Sequence, residues 1–191
     1  MKIVILDRDG VINEESPHYI KSAAEWHPIP GSLEAIAKLC QAGYRVFVAT
    51  NQSGLGQGLF DYEAFSAMND RLQQLLAELG GRVDGIFFAP DHPQQPTPNR
   101  KPGPGMFQDL AKRLGITLEN VPAVGDSLRD LEAARAAGAR PVLVRTGNGR
   151  ETEARNAAKL GDVRIYDNLA EFVVALLSGN DASAPQRPQT A

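Results

Sequence analysis

The sequence predicts an α/β fold, a doubly wound three-layer parallel sheet, and three observations support this. Short apolar, β-branched runs recur along the chain. Most of these runs are apolar on both faces, which is typical of parallel strands covered by helices. The segments between them are long enough for helices and right-handed crossovers. At 191 residues, the chain suits one domain with a substantial core and is short for two.

Six apolar runs are the predicted strands. In chain order they are KIVIL (2–6), YRVFVAT (44–50), GIFFA (85–89), VPAVG (121–125), RPVLV (140–144) and VRIY (163–166). Each run is short and apolar, as buried strands are, and the longer segments between the runs supply the helices that alternate with them.

Four segments between these runs show helical patterns. They are GSLEAIAKLCQAGY (31–44), residues 61–79, MFQDLAKRLGI (106–116) and LRDLEAARAAG (128–138). Three of them end at or near a glycine, the residue that most readily adopts the left-handed conformation that terminates a helix. In the segment 61–79, the apolar side chains form one stripe: Phe65, Met68, Leu72, Leu75, Leu76 and Leu79.

The remaining segments are predicted as loops and a tail. Residues 10–30 and the proline-rich 89–105 are long for a compact domain, and such loops are usually functional or disordered. GLGQG (54–58) lacks the spacing of a nucleotide-binding motif and is interpreted as a hinge or turn. The polar, proline-bearing stretch 178–191 is predicted to be a disordered tail, which leaves 1–177 as the domain.

Composition narrows the expected partners and location. The formal net charge is only -3 and the basic residues are scattered, so no nucleic-acid partner is expected. Cys40 is the single cysteine, which excludes an internal disulfide framework. No signal-peptide pattern or membrane-spanning run is evident, and no apolar stripe exceeds the needs of the core. We expect a cytoplasmic monomer that does not bind membranes.

Side chains suited to phosphate chemistry follow successive predicted strands. Because the carboxyl ends of strands in an open α/β sheet border the ligand crevice, these side chains are expected to lie together. Carboxylates clustered at one point need a cation, which indicates Mg²⁺, while hydroxyl, amide and basic groups could hold a phosphoryl group. Taken singly, each aspartate could instead be a turn former or helix cap. In chain order the residues are Asp7 and Asp9, then Thr50, Asn51, Gln52 and Ser53, then Arg100 and Lys101, then Asp126 and Asp130.

The spacing of Asp7 and Asp9 suits a two-carboxylate reaction. Two residues apart on an extended strand end, they point the same way, so one can attack in line while the other reaches the leaving oxygen. Lys101 and an adjacent Mg²⁺ would favour the ionised form of Asp7. Arg8, between the two acids, has no assigned task.

Four motifs resemble, in order and spacing, the signatures of the haloacid dehalogenase (HAD) superfamily of phosphatases: DRDGVIN, TNQSG, NRKPGPGM and VGDSLRDLEAARAAG. Within that superfamily the chain resembles the D-glycero-D-manno-heptose 1,7-bisphosphate phosphatases, whose close relatives are the histidinol-phosphatases. The resemblance spans roughly residues 1–175 and implies a HAD-like fold without a large cap domain.

The resemblance also implies a reaction, a cofactor and residue roles. It implies a Mg²⁺-dependent phosphoric monoester hydrolase that forms an aspartyl-phosphate and removes the 7-phosphate of the heptose bisphosphate, a step toward nucleotide-activated heptose and the lipopolysaccharide core. Asp7 would be the nucleophile and Asp9 the acid and base. Mg²⁺ would bind the carboxylates of Asp7 and Asp126 and the backbone carbonyl of Asp9, with Asp130 a candidate in support. Phosphoryl and substrate contacts are implied for Glu15, Ser16, Pro17, His18, Thr50, Asn51, Gln52, Ser53, Arg100 and Lys101.

The loop before RKP departs from the family pattern. Many heptose bisphosphate phosphatases carry a zinc loop there with three cysteines and a histidine. Here Ala89 and Asp91 stand where a cysteine and the histidine would be, and the loop is shorter and has no cysteine. We therefore predict no structural zinc, with the loop stiffened by its prolines. Ser127 is a second departure, at a position where some members have lysine.

Three alternatives stay open. The substrate could be histidinol phosphate or another small sugar phosphate. A signalling receiver domain is also a doubly wound sheet with acids at strand ends, although it typically has adjacent acids after its first strand and its phosphorylated aspartate after the third, whereas this chain has D-x-D and GIFFAPDH. A catalytically silent phosphosugar-binding protein is the third.

Overall fold

A computed structural model describes residues 1–181 and contains a six-stranded parallel sheet. The strands are β1 (Ile3–Leu6), β2 (Arg45–Asn51), β3 (Gly85–Ala89), β4 (Pro122–Gly125), β5 (Arg140–Val144) and β6 (Arg164–Tyr166). They lie in the order β3-β2-β1-β4-β5-β6, and every neighbouring pair is parallel. The predicted α/β class is confirmed. Five of the predicted runs contain their strand entirely, and β2 extends one residue beyond its run, to Asn51.

Seven helices connect the strands within the described residues. They are α1 (Ser32–Gln41), α2 (Ser53–Gly56), α3 (Tyr62–Glu78), α4 (Gly105–Leu114), α5 (Leu128–Ala136), α6 (Gly149–Leu160) and α7 (Leu169–Leu177). The four predicted helices are present as α1, α3, α4 and α5. Part of the GLGQG segment, interpreted as a turn, belongs to the short helix α2. Within residues 1–181, no helix combines the length and apolar character needed to cross a membrane.

Helices α6 and α7 were not identified from the sequence, for opposite reasons. Helix α6 buries few side chains, Thr152 and Leu160 among them, and its backbone leaves helical geometry at Asn156, so it has little apolar periodicity. Helix α7 has the sequence LAEFVVALL. A run this short and this apolar does not reveal whether its period is that of a helix or a strand.

Side chains of β1 alternate between two cores on opposite faces of the sheet. Val4 and Leu6 belong to the larger core, which also contains buried side chains of α1, α3 and α7. Ile3 and Ile5 belong to the second, with side chains of α4 and α5. Fully burying one such aliphatic side chain contributes about 1.5–3 kcal/mol. Apolar residues are therefore needed on both faces, as predicted for a doubly wound sheet.

The strand order places a topological switch between β1 and β4. The chain runs outward from β1 through β2 to β3, then returns to β4 on the other side of β1. In open α/β sheets the ligand crevice opens at such a switch, beyond the carboxyl ends of the strands. Asp7 follows β1 and its backbone N–H donates to the carbonyl of Val124 in β4 at 2.8 Å. The first acidic residue therefore lies at the switch point.

The long segment between β1 and α1 is packed into the protein. Trp26 and Ile12 in this segment are fully buried and join the larger core. The hydroxyl of Ser32, at the start of α1, donates to the carbonyl of Val11 at 2.9 Å. These contacts hold the segment at the carboxyl edge of the sheet, beside the crevice.

The predicted tail boundary is corrected by the residues that follow α7. Residues 178–181 form a turn, and Asp181 is buried. The carboxylate of Asp181 pairs with Arg140 and accepts a hydrogen bond from the hydroxyl of Tyr166 at 2.7 Å. A domain boundary at residue 177 is therefore too early. The rest of the predicted tail, residues 182–191, lies outside the described residues.

Candidate active site

Asp7 and Lys101 form a buried ion pair beyond the end of β1. The Lys101 Nζ is 3.0 Å from the Asp7 Oδ1, and the side chains are only 11% and 1% exposed for Asp7 and Lys101 respectively. Burial raises the pKa of Asp7 to about 7, although Lys101 acts in the opposite direction. The carboxylate is therefore short of positive charge even with Lys101 in contact.

Lys101 is held by three oxygen atoms. Besides Asp7, its Nζ is 2.6 Å from the Asp130 Oδ1 and donates to the carbonyl of Ala49 at 2.8 Å. Burial would lower the pKa of Lys101, but Asp130 and Asp7 outweigh it and raise the pKa. Asn51 fixes the backbone here, because its side chain accepts from the Lys101 N–H at 2.9 Å and donates to the Lys101 carbonyl at 3.0 Å.

Asp126 follows β4 and faces Asp7 across the switch point. Its Oδ2 accepts hydrogen bonds from the backbone N–H and the side-chain amide of Asn148, at 2.8 and 3.1 Å. Burial and the nearby charges of Asp130 and Asp7 raise the pKa of Asp126 to about 8. The backbone at Gly10 passes so close that a Cβ there would overlap the Asp126 carboxylate.

Asp130 joins the helix cap to the acidic cluster. In the first turn of α5, Asp130 accepts from the backbone N–H of Ser127 at 2.9 Å and from its hydroxyl, which completes a capping box. Burial raises the pKa of Asp130, but Lys101 and Ser127 outweigh it and lower the pKa. Ser127, unassigned from the sequence, therefore orients an acid that holds Lys101.

Carboxylate oxygens of Asp7, Asp126 and Asp130 lie within 4.8 Å of one another. Each of these residues is at least partly buried, and Lys101 is ion-paired with both Asp7 and Asp130. Of the three carboxylates, only Asp130 has a pKa that is lowered overall. A cluster of carboxylate oxygens with insufficient counter-charge is the donor set that hard divalent cations prefer.

Asp9 is surrounded by four N–H donors. Its Oδ1 accepts from the Nε of Arg8 and the amide of Asn13, both at 2.9 Å. Its Oδ2 accepts from the Nη2 of Arg8 at 3.2 Å and the amide of Gln52 at 2.9 Å. Burial raises the pKa of Asp9, but these partners, Arg8 first, outweigh it and lower the pKa. The side chain is still 19% exposed, so it can meet a ligand.

The end of β2 supplies neutral polar groups. Thr50 is buried, and its Oγ1 accepts from the amide of Gln52 at 3.0 Å. The same amide nitrogen also donates to Asp9. Ser53 begins α2 and is buried as well. This strand end therefore places hydroxyl and amide groups beside Asp9, the second carboxylate of the D-x-D motif.

A cavity of about 510 Å³ opens above these groups. Its volume is within the range of small-molecule sites, roughly 300–1,000 Å³. Its wall contains ten of the predicted site residues: Asp7, Asp9, Glu15, Ser16, Pro17, Thr50, Asn51, Gln52, Ser53 and Arg100. Lys101 lies behind Asp7 and is not on this wall, and neither are Asp126 and Asp130. His18 is exposed and is not on the wall either; its neighbour Tyr19 is.

Several wall residues were missed from the sequence. They are Tyr19, Ile20, Phe60, Pro93, Arg129 and Asn148. Arg129 lies between Asp126 and Asp130 in the chain, so its position was a usable signal. Asn148 follows β5, and the rule that ligands bind beyond the carboxyl ends of strands applies there too. Tyr19 has a left-handed backbone, with φ of 65°, which the sequence did not indicate.

A family model described as HAD-hydrolase-like matches residues 98–172. A protein of Bordetella bronchiseptica is 51% identical over 177 residues, which cover 93% of this chain and 98% of that protein. A protein of Pseudomonas putida is 49% identical over 177 residues, 93% of this chain and all of the other. Both relatives are called D-glycero-beta-D-manno-heptose-1,7-bisphosphate 7-phosphatase.

Two solved structures resemble this fold along nearly the whole chain. One is D,D-heptose 1,7-bisphosphate phosphatase from B. bronchiseptica, complexed with magnesium and phosphate. It has a TM-score of 0.91 and 50% identity, and the match covers 94% of this chain and 99% of that one. The other is the enzyme of the same name from Burkholderia thailandensis, with a TM-score of 0.74, 45% identity and coverage of 93% and 99%.

Proposed function

This chain belongs to the D-glycero-β-D-manno-heptose-1,7-bisphosphate 7-phosphatase family of HAD-like hydrolases, and we propose that it catalyses the reaction that gives the family its name. It is then a Mg²⁺-dependent phosphoric monoester hydrolase that removes the 7-phosphate of the heptose bisphosphate. The product would supply the synthesis of nucleotide-activated heptose for the lipopolysaccharide core. The observation that carries this proposal is the buried Asp7–Lys101 pair at 3.0 Å, behind a cavity lined by Asp9 and Thr50.

Asp7 is the proposed nucleophile. Its carboxylate attacks phosphorus, the bond from phosphorus to the sugar oxygen breaks, and an aspartyl-phosphate forms. Lys101 supplies a fixed positive charge beside the attacking carboxylate, and the hydroxyl of Thr50 is placed to contact a phosphoryl oxygen. Asn51, whose side chain bonds to both the backbone N–H and the backbone carbonyl of Lys101, keeps that charge in position.

Asp9 is the proposed acid and base. In the first step it gives a proton to the leaving sugar oxygen, and in the second it takes a proton from the water that hydrolyses the aspartyl-phosphate. The four N–H donors around it favour the ionised form that the second step needs. The acid step needs the protonated form of Asp9, and a proton on its Oδ2 would replace the hydrogen bond from Gln52, whose amide nitrogen also donates to Thr50.

Magnesium fits the donor set of the acidic cluster. Asp7 and Asp126 are carboxylates whose pKa values are raised to about 7 and about 8, so both lack counter-charge. We propose that the carboxylates of Asp7 and Asp126 and the backbone carbonyl of Asp9 hold Mg²⁺, and that Asp130 acts in support through Lys101. When bound, the ion offsets the negative charge of the phosphoryl oxygens.

Substrate contacts are proposed for the rest of the wall. Arg100 and the loop residues Glu15, Ser16 and Pro17 face the cavity together with Gln52 and Ser53. His18 stays in the proposal as a substrate contact from the same loop, although the wall of the empty cavity does not include it. A monomer in the cytoplasm that binds neither nucleic acid nor membrane belongs to the same proposal, and gel filtration tests its oligomeric state.

The structure argues against two of the alternatives, a receiver domain and a catalytically silent binding protein, and leaves histidinol phosphate as the rival substrate. Receiver domains have the strand order 2-1-3-4-5, whereas this sheet has six strands in the order β3-β2-β1-β4-β5-β6. A phosphosugar-binding protein without catalytic activity would not need a buried lysine paired with a carboxylate at the substrate cavity, as Lys101 is with Asp7. Histidinol phosphate stays the rival substrate, because it requires the same chemistry at phosphorus.

The decisive experiment measures phosphate release from the heptose bisphosphate and from histidinol phosphate, with and without Mg²⁺. We expect Mg²⁺-dependent turnover with a higher kcat/KM for the bisphosphate. A higher kcat/KM for histidinol phosphate would overturn the substrate, and no metal-dependent release above background would overturn the enzymatic proposal.

The nucleophile is tested with the Asp7→Asn variant. This variant should lose turnover while its thermal unfolding stays cooperative, because asparagine keeps the shape but cannot form the aspartyl-phosphate. Retained turnover would refute the assignment of Asp7. Conversion of Asp109, a surface partner of Arg113, to asparagine is the matched control and should leave turnover unchanged.

A further inference from the structure

The loop of residues 15–25, between β1 and α1, has few hydrogen bonds to the rest of the protein. Among residues 1–181, two hydrogen bonds join this loop to residues outside it. The Nδ2 of Asn148 donates to the Oε2 of Glu15 at 3.3 Å, and the Nε2 of Gln57 donates to the hydroxyl of Tyr19 at 2.8 Å. The other hydrogen bonds of the loop join its own residues. The contact between Tyr19 and Gln57 is therefore the shorter of the two links.

Tyr19 has a backbone conformation that other contacts must hold in place. Its φ of 65° is in the left-handed region, which is unfavourable for a residue that has a Cβ. The next residue, Ile20, is buried and belongs to the larger core. Burial of Ile20 anchors the loop but has no preferred direction. The hydrogen bond of the Tyr19 hydroxyl adds a directional contact at the residue where the backbone is least favourable.

Gln57 lies on a segment that is itself packed closely against its neighbours. It directly follows α2 in the GLGQG motif, which the proposed function does not use. A Cβ at Gly54 would overlap the ring of Phe60, and a Cβ at Gly56 would overlap the backbone carbonyl of Pro90. The two glycines therefore allow α2 to pack closely against Phe60 and against the loop after β3. Gln57 reaches Tyr19 from a fixed position.

The loop and α2 border the same cavity. Residues 15–17 of the loop are on its wall, and so is Ser53 at the start of α2. Tyr19 is on the wall as well, but Gln57 is not. Gln57 can therefore affect a bound ligand only through the residues that it contacts.

We propose that Tyr19 and Gln57 are positioning residues, and that their hydrogen bond clasps the loop 15–25 to α2 and so holds residues 15–17 where they meet the substrate. This inference rests on the proposed function for the choice of substrate. The nucleophilic carboxylate and its lysine are held by separate contacts. Loss of the clasp should therefore weaken substrate binding and leave the chemical step intact, so that KM rises while kcat stays.

The experiment is a double-mutant cycle with Tyr19→Phe, Gln57→Ala and the double variant, measured on the heptose 1,7-bisphosphate with Mg²⁺. Each single variant removes one partner of the same hydrogen bond. We expect each to raise KM roughly 2- to 10-fold, as for a lost neutral hydrogen bond, with little change in kcat. The double variant should show no further rise, because the two residues act through one contact.

A second measurement follows the loop without turnover. Lys21 lies in the loop, and the rate at which trypsin cleaves after it reports the population in which the loop is open. We expect the two single variants and the double variant to be cleaved there faster than the unaltered protein, all by a similar factor.

Tyr62→Phe is the matched control, because it removes the same hydroxyl group from a different place. Tyr62 is 62% exposed, and its hydroxyl makes no hydrogen bond within the described part of the chain. It is also not on the wall of this cavity. We expect this control to keep the KM, the kcat and the cleavage rate of the unaltered protein.

Several results would overturn the clasp. A rise in KM for Tyr19→Phe but not for Gln57→Ala would mean that the Tyr19 hydroxyl contacts substrate directly. Effects that multiply in the double variant would show two independent roles. Unchanged KM, or unchanged cleavage after Lys21, in both single variants would show that the bond does not hold the loop for substrate.

Failure of the proposed function has a different signature, namely background turnover of the heptose bisphosphate by the unaltered protein. In that case the cleavage rates after Lys21 in the same four proteins decide whether the clasp exists. Equal rates in all four would overturn it.

Discussion

The guanidinium of Arg8 forms two hydrogen bonds with the carboxylate of Asp9, its neighbour in the chain, at 2.9 and 3.2 Å. Arg8 is 1% exposed and its guanidinium lies 5.8 Å from the ring centroid of Phe65. The arginine is therefore fixed by the core of the protein and in turn fixes the proposed acid and base. This gives a task to the residue between the two acids of the D-x-D motif.

Arg8 is expected to act as a positioning residue. Arg8→Lys keeps the positive charge but cannot form the two hydrogen bonds that the guanidinium makes with the Asp9 carboxylate. Asp9 should therefore be less well aligned with the leaving oxygen. Because general acid catalysis contributes about 10²- to 10⁴-fold, we expect kcat for the heptose bisphosphate to fall by at least about tenfold. Turnover of p-nitrophenyl phosphate should fall much less, because its leaving group needs no proton.

The comparison of leaving groups separates positioning from general damage. A variant that is merely misfolded loses the same fraction of activity on both substrates, and that result would contradict the positioning role. Because Arg8 is buried and Arg8→Lys removes hydrogen bonds to a carboxylate, thermal unfolding should be measured alongside. Asn13→Ala removes one bond to the same carboxylate and should give a smaller effect in the same direction.

Gly10 is expected to be irreplaceable because of Asp126. Gly10 has φ of 81°, and an added Cβ would overlap the Asp126 carboxylate. Gly10→Ala should therefore displace Asp126 and weaken Mg²⁺ binding, measured by calorimetry. Gly43 has φ of 79°, and a Cβ added there would have no atom within 4 Å, so Gly43→Ala isolates the backbone cost of about 1–2 kcal/mol.

The difference between these two variants measures the contact with Asp126. We expect Gly43→Ala to be mildly destabilised with normal Mg²⁺ affinity and turnover. Equal Mg²⁺ affinity in the two variants would mean that the close approach of Gly10 to Asp126 does not matter for the metal.

Mg²⁺ binding is expected to strengthen as the pH rises. The raised pKa values of Asp7 and Asp126, about 7 and about 8, refer to the metal-free protein. Protons bound to these carboxylates stabilise the folded state fully below the unfolded value near 3.8. That stabilisation is lost as the pH rises through about 7 and about 8, so the metal-free protein should become less stable.

Because Mg²⁺ needs the deprotonated carboxylates, its stabilising effect has the opposite pH dependence. The increase in the unfolding temperature on adding Mg²⁺ should be larger at about pH 8.5 than at about pH 6. Asp126→Asn should reduce the increase at both pH values. A larger effect of Mg²⁺ at the lower pH would contradict the assignment of these two carboxylates as ligands.

The loop after β3 is expected to hold no zinc. Asp91 already accepts from the N–H and hydroxyl of Thr97, at 2.8 and 2.6 Å, and the Nδ1 of His92 accepts from the N–H of Gln94 at 3.2 Å. Elemental analysis of the purified protein should find no stoichiometric zinc. One bound zinc per chain would contradict this, and Asp91→Ala should loosen the loop and raise KM without changing metal content.

Many of the site residues could be predicted from the rule that ligands of α/β sheets bind beyond the carboxyl ends of the strands. The residues after β1 and β2 and in the loop after β3 could be named because parallel strands end at the same edge, and Asp7, Thr50 and Arg100 do share one cavity. The same rule was not applied to β5. Asn148, which gives two hydrogen bonds to Asp126, was missed for that reason.

Other features depend on contacts that a linear pattern does not contain. In the loop that follows β1, Tyr19 has a left-handed backbone and is on the cavity wall, whereas its neighbour His18 is not. Asn51 is on the cavity wall and its substrate contact stays a prediction, but its side chain also binds the backbone of Lys101 fifty positions away, which was not predicted. Both outcomes depend on the three-dimensional path of loops, for which the sequence has no periodic signal.

Trp26 is the single tryptophan of the chain, and it is fully buried in the segment between β1 and α1 that also carries Glu15, Ser16 and Tyr19. Indole emission from this protein therefore originates at one place, in the segment that also supplies part of the cavity wall. Its wavelength and quenching by small solutes report whether that segment is packed. The protein thus contains an intrinsic optical probe of its own substrate loop, and no label has to be attached to follow the loop during ligand binding or unfolding.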